Sequence, residues 1–344
     1  MAAITIRNLL NTINLDADPC ELIVILGRSG AGKTTMLKAL AGLTNAPGHI
    51  TIDGQPIHHL PPHKRPITMM MDHPALFPHL TIADNIRFTG ANHDAVNVAM
   101  LSLGIDDLAH RYPHQLSTGQ QQKVALARAL VQQPTLMLFD EPLAHVDTYS
   151  SEQLKQQILR THQRLGSTTL YVTHDIDEAF SIADRIIYLT NSHITQDAAP
   201  QDLREQPATV EIARHLGATI FIPTTGTITH THYGTATAHV TLLGQHHAIP
   251  AEPTLTTNDT LVAIGYPTSA TATPTGQKAR HLTDNIGQIT RSVYMGEYQE
   301  VGIETSYGRI VLHCDPDAPL AYTAPGDEVH IHLDPAKMWC TRAE

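Results

Sequence analysis

Residues 22–35 read LIVILGRSGAGKTT, and few short patterns leave a chain less freedom. Five consecutive apolar residues, Leu22 to Leu26, predict a strand buried on both faces. The run ends in Gly27, Arg28, Ser29, Gly30, Ala31, Gly32, Lys33, Thr34 and Thr35, which fits G-x-x-x-x-G-K-[ST]. The glycines let backbone N–H groups wrap a phosphate without Cβ clashes. Lys33 supplies a point charge at the β- and γ-phosphates, and the Thr34 hydroxyl suits Mg²⁺. A helix expected from about Gly32 to Ala41 turns its positive end toward the same anion. Strand, glycine loop and helix in this order predict an α/β P-loop NTPase domain.

The stretch TLMLFDEP at 135–142 supplies the second half of such a site. An apolar strand ends in Asp140, within reach of Mg²⁺ beside Thr34. Glu141 follows, placed to polarise a water at the γ-phosphate, and adjacent carboxylates with separate roles suit metal-assisted hydrolysis. Further apolar runs, TTLYVTHD and RIIYLT, follow helical patterns at about 150–165 and 176–183. Apolar strands alternating with helices imply a mostly parallel sheet covered on both faces. After about residue 216 the texture changes to β-type runs separated by Gly-containing turns, which reads as a smaller, barrel-like all-β domain. Within it, 271–281 (TATPTGQKARH) is expected to be an exposed loop.

A second anion site is written at LSTGQQQK, 116–123. Ser117 followed three residues on by Gln120 is a capping box, so a helix starts there with its free N–H groups exposed. A chain with one phosphate cradle has no obvious use for another.

With LSTGQ added to the two earlier motifs, the sequence resembles an ATP-binding-cassette (ABC) ATPase, most of all the ATPase subunits of bacterial ABC importers. Residues 1–215 resemble the nucleotide-binding domain, with a helical subdomain at about 84–118. Residues 216–344 resemble the accessory OB/TOBE-like barrel of importers for sulfate, molybdate, ferric iron, polyamines and sugars; NIGQITRSVYMGEYQEVGIET and APGDEVHIHLDP carry that match. The resemblance gives LSTGQ its use. Two subunits pack head to tail, and Ser117, Gly119 and Gln120 of one close over the ATP held by the other. It also implies that His174 in YVTHD contacts the γ-phosphate and that Asp147 in LAHVD lies across the dimer seam. ATP and Mg²⁺ are the implied cofactors, with Thr34, Asp140 and Asp72 at the metal. The implied partners are a second copy of the chain, membrane-spanning permease subunits and, indirectly, a solute-binding protein. The place is the cytoplasmic face of the inner membrane, and the weak preference for cargo is an oxyanion or ferric iron.

Three departures modify these expectations. Asp72 in MMMDHPALFPH stands where the family has a glutamine. No aromatic residue precedes Phe77, although the family stacks adenine on one, so weak discrimination between ATP and GTP is expected. Thr118 replaces the first glycine of SGGQ, yet Lys33, Asp140, Glu141 and His174 are all kept, so an active ATPase is expected. Phe77 and Leu80 serve either the core or a permease contact.

Composition enters as a set of exclusions. Asp and Glu outnumber Lys and Arg by 33 to 22, which argues against bulk nucleic-acid binding. Three scattered cysteines, Cys20, Cys314 and Cys340, argue against a disulfide framework and fit a reducing cytosol. The N-terminus lacks a signal-peptide pattern, and no apolar run nears the ~18 residues of a membrane span. His230 with His232, and His330 with His332, would share strand faces, but without a convincing third ligand solvated faces are the better reading than a metal site. The competing functions are a soluble ABC-type ATPase uncoupled from transport, a weakly hydrolysing nucleotide-dependent regulator, and a P-loop kinase, the last leaving LSTGQ unexplained.

Overall fold

The computed structural model describes residues 3–279 and 281–343. The chain divides into two compact units, Met1–Pro200 and Gln201–Glu344. The first is built from β1 (Ile4–Leu9), β2 (Ile13–Ala17), β3 (Leu22–Leu26), α1 (Lys33–Ala41), β4 (His49–Ile52), β5 (Gln55–Pro56) and β6 (Ile67–Met70). There follow α2 (Ile82–Arg87), α3 (His93–Leu103), α4 (Thr118–Leu130), β7 (Leu136–Asp140), α5 (Thr148–Leu165), β8 (Thr168–Val172), α6 (Ile176–Ile182), β9 (Arg185–Thr190) and β10 (His193–Ala198).

Two sheets carry this unit. One is antiparallel, in the order β2-β1-β4-β5; the other runs β10-β9-β3-β8-β7-β6 and is parallel apart from β10. All residues of β3, β7 and β8 are buried. That is why these strands read as unbroken apolar runs rather than alternating ones. The sheets enclose α1, whose Met36, Leu37 and Leu40 pack with Ile6, Ile50, Ile25, Leu138 and Val172 in one core. The cradle strand β3 lies between β9 and β8, so the loops at the carboxyl ends of β3, β7 and β8 open on one side of the sheet, where α/β folds bind ligands.

Helix α7 (Pro200–Glu205) spans the division, and α8 (Val210–His215) packs Val210 and Ala213 against Ala218, Val262 and Ile264 of the second unit. Contacts therefore group residues 201–215 with the second unit, whereas the change of composition falls nearer 216.

The second unit continues with β11 (Ile220–Thr224), β12 (Gly226–His230), β13 (Ala236–Leu242), β14 (Gln245–Ala251), β15 (Leu261–Gly265) and β16 (Ala270–Lys278). It ends with β17 (Ile286–Tyr294), β18 (Gln299–Thr305), β19 (Gly308–Cys314), β20 (Asp327–Leu333) and β21 (Met338–Arg342). These make two sheets, β11-β15-β21-β14-β13-β12 and β16-β20-β17-β18-β19, antiparallel except for one bridge, Ala251 to Cys340. Ile222, Val240, Ile249, Leu261, Ile303, Leu312 and Val329 share their core. The segment 271–281 corrects the expectation of a loop. Residues up to Lys278 form the edge strand β16, in register with β20 from Ala270–Leu333 to Pro274–Val329. Pro274 is tolerated because an edge strand has N–H groups that need no partner. The register shifts after it, where Gly276 stands at φ +76. Arg280 lies outside the described residues.

Candidate functional site

The cradle takes its shape from glycines at positions closed to other residues. Gly27 has φ +152, and a Cβ there would come within 2.3 Å of the Leu189 carbonyl oxygen. Gly32 has φ +99, and a Cβ would meet the Ser192 hydroxyl at 2.6 Å. The Asn191–Ser192 turn at the end of β9 is thus the floor of the loop, and the Ser192 N–H donates to the Ala31 carbonyl at 2.9 Å. Above it Lys33 is 7 % exposed. Its ammonium donates to the carbonyls of Gly27 (2.7 Å) and Arg28 (3.2 Å). Burial pulls the Lys33 pKa down, and Glu141 and Asp140 oppose that pull.

Asp140 ends β7 and is 4 % exposed. The Thr34 hydroxyl donates to its Oδ1 at 2.9 Å. Burial raises the Asp140 pKa; the Thr34 bond opposes, while Asp72 and Glu141 push further up. Hard oxygen donors with unrelieved negative charge are what a small divalent cation needs, so these residues fit Mg²⁺. Glu141 is held in the left-handed region at φ 48, rare for a side chain of its kind, by its N–H donating to the Val172 carbonyl at 3.0 Å. The bend at the strand end brings its Oε2 to 3.0 Å from Nδ1 of His174, just beyond β8. A groove of about 900 Å³ runs beside both, walled by His145, Val146, Glu152, Lys155, Asp177 and Glu178.

Lys33, Thr34, Asp140, Glu141 and His174 therefore meet at the carboxyl ends of three neighbouring strands. Asp72 joins them electrostatically through Asp140. Ser117, Gly119, Gln120 and Asp147 form a separate group. Ser117 caps α4 in a full box: the Gln120 N–H donates to its hydroxyl at 3.3 Å, and its own N–H donates to Gln120 Oε1 at 3.0 Å. Asp147 caps α5, accepting from the Ser150 N–H at 3.0 Å, and the backbone and hydroxyl of Ser150 hold its carboxyl below the ordinary range. Gly119 packs against that cap, where a Cβ would stand 3.2 Å from Ser150 Cβ and 3.6 Å from Val146. Among the described residues no hydrogen bond or ion pair joins this group to the first.

Sequence reasoning passed over the residues that hold Asp72. Gln122, fully buried, donates to the Asp72 carbonyl at 2.9 Å. Arg128 donates to the carbonyls of Ala75 and Pro74, both at 2.9 Å. Burial lowers the Arg128 pKa. Helix α4 thus grips the 72–75 loop by its backbone. One signal was available: Gln122 stands four residues before Leu126, a polar residue on the buried stripe of the helix. The Tyr171 and Thr173 hydroxyls both donate to the Glu178 carboxylate, tying β8 to α6 behind His174.

Residues 10–144 match the ABC transporter family. The chain is 34 % identical over 312 residues to the Fe(3+) ions import ATP-binding protein FbpC of Brucella melitensis, covering 88 % of this chain and 85 % of that protein. It is 41 % identical over 228 residues to the sn-glycerol-3-phosphate import ATP-binding protein UgpC of Chromohalobacter salexigens, covering 63 % and 61 %. Among solved structures it is similar to a dimeric ATP-binding cassette in a post-hydrolysis state bound to ADP and Pi. That match has a TM-score of 0.51 and 27 % identity, and covers 58 % of this chain and 99 % of the other.

Proposed function

The chain belongs to the ATP-binding subunits of ABC transporters, and on that premise we propose that it hydrolyses ATP to power solute import through membrane permease subunits. The observation that carries the reading is the meeting of Lys33, the Thr34–Asp140 pair and the Glu141–His174 pair at one edge of the parallel sheet. The backbone of Gly27 to Thr35 wraps the phosphates. Lys33 exchanges its two carbonyl partners for phosphate oxygens. Thr34, Asp140 and Asp72 would hold Mg²⁺, which would neutralise charge on the phosphates. Glu141 accepts the proton of a water that attacks the γ-phosphorus as the bond to the bridging oxygen of ADP breaks. His174 orients the Glu141 carboxylate and faces the leaving phosphate.

Ser117, Gly119, Gln120 and Asp147 serve the nucleotide of a second copy. Among the described residues no hydrogen bond or ion pair joins them to Lys33, which supports that assignment, as does the dimeric relative. Closure of the pair biases the permease between its two facing states, and hydrolysis releases it. The working place is the cytoplasmic face of the membrane, with a solute-binding protein supplying cargo from the far side. Among the described residues no helix is long and apolar enough to cross a membrane. The relatives named above are import subunits for different cargoes, ferric ions and glycerol 3-phosphate, so cargo is chosen outside this chain. Their import role favours transport coupling over an uncoupled ATPase or a regulator.

The test is Mg²⁺-dependent phosphate release from the purified protein. Glu141→Gln is expected to lower it at least about 100-fold, the usual weight of a general base, with ATP binding retained. An unchanged rate would remove Glu141 from the chemistry.

A further inference from the structure

The second unit contains a cavity of about 380 Å³ between α7, the turn after β15 and the start of β21. That is the size of a small-molecule site. Its walls are mixed. Ile264, Pro250, Met338 and Trp339 supply apolar surface, and Arg204, Tyr266 and Lys337 supply donors. Arg204 lies flat over the Tyr266 ring, its Cζ 4.6 Å from the centroid. Stacking of this kind orients a guanidinium while leaving its edge N–H groups free to bond. Among the described residues Arg204 has no carboxylate partner. The Tyr266 hydroxyl is buried and has no hydrogen-bond partner among the described residues. An unmade bond of that kind is costly, so the group is suited to a ligand or water that completes it. Burial pushes this hydroxyl up to about 12, so it keeps its proton and remains a donor at neutral pH.

The neighbouring acids are already occupied. Glu205 accepts from the Gln201 amide at 2.8 Å. Asp334 accepts from Lys337 at 3.3 Å and from the Ala336 N–H at 3.2 Å. Arg204 thus stands at the cavity without a carboxylate partner and the Tyr266 hydroxyl without an acceptor among the described residues, while Lys337 shares its ammonium with Asp334. We propose that this cavity binds a small molecule with a carboxylate or phosphate head, set between Arg204, Tyr266 and Lys337, and an apolar body laid along Met338 and Trp339.

Trp339 is the chain's one tryptophan, so the intact protein reports on this wall by its own fluorescence. The probes are hexanoate, hexyl phosphate, inorganic phosphate and hexanol. Hexanoate or hexyl phosphate is expected to change the emission saturably, and the stronger of the two identifies the head group. Inorganic phosphate, lacking the body, and hexanol, lacking the charge, are expected to bind at least about tenfold more weakly. Arg204→Gln is expected to weaken the better probe about tenfold or more, as loss of a charge-assisted bond does, and Tyr266→Phe several-fold. Lys337→Gln provides a second exposed charge removal if Arg204→Gln misfolds. No saturable response to either charged probe, an equal response to hexanol or inorganic phosphate, or full affinity in both charge variants would overturn the proposal.

Discussion

Asp140 carries the sharpest electrostatic conflict in the site. It is buried, feels the charges of Asp72 and Glu141, and is relieved by the Thr34 hydroxyl and, more weakly, by Lys38. Its pKa is raised on folding, so the folded chain takes up its proton more readily than the unfolded chain does. The stability it contributes is complete below the ordinary carboxylate range and is lost as pH rises through the folded value. At neutral pH the nucleotide-free protein therefore holds a charge it would gain by losing. Asp140→Asn keeps an acceptor for Thr34 and removes the charge. Its melting temperature without nucleotide is expected to exceed the parent's by a few degrees at pH 7.5, the scale of about 1 kcal/mol in a unit of this size, with the gap closing as pH falls. Mg²⁺ should raise the parent's melting temperature and leave the variant's unmoved; scanning fluorimetry across pH reads both. A second expectation concerns the base. With no aromatic before Phe77 to stack on adenine, kcat/KM for ATP and GTP should be comparable, and competing the two nucleotides for hydrolysis measures it.

At the scale of elements, α4 does two things at once. Its start presents Ser117 and Gly119, and its body holds the 72–75 loop through Gln122 and Arg128. Arg128→Met keeps apolar bulk and leaves the Pro74 and Ala75 carbonyls without their donor. One of these bonds is exposed and the other part-buried, so their loss costs about 0.5–1.5 kcal/mol and melting should fall by a few degrees. Because Asp72 rides on the same loop, the Mg²⁺ concentration for half-maximal hydrolysis should rise as well, a readout that simple destabilisation would not move. The capping box at Ser117 was legible in the sequence because its bonds are local, and β3, β7 and β8 were legible because burial on both faces writes itself as unbroken apolar runs. The Gln122–Asp72 bond spans 50 residues, and no periodicity encodes it. The strand at 271–278 was obscured by Pro274 and Gly276, which signal a turn unless one knows the strand lies at a sheet edge. The left-handed backbone of Glu141 is set by the Val172 carbonyl on the neighbouring strand, again a partner that local sequence does not reveal.

For the whole molecule, the separation of Lys33 from Ser117 makes a claim about two chains. If each nucleotide is held by the cradle of one subunit and the capped helix of the other, Lys33→Ala and Ser117→Arg damage opposite halves of every site. Each variant alone should be inactive. Mixed in equal amounts, random pairing leaves up to about a quarter of the sites whole, as follows from an isologous two-fold dimer. Recovery of phosphate release on mixing, absent when either variant is mixed with itself, is the measurement. No recovery at any ratio would place Ser117 outside the working site.

Lys33 has one further implication. Its ammonium is fastened to the mouth of its own loop by two carbonyls, so the lysine braces the loop that it serves. A phosphate arriving there would trade oxygen for oxygen around a single nitrogen. Discharge runs the same trade backward, and the spent enzyme resets by reclaiming two of its own atoms.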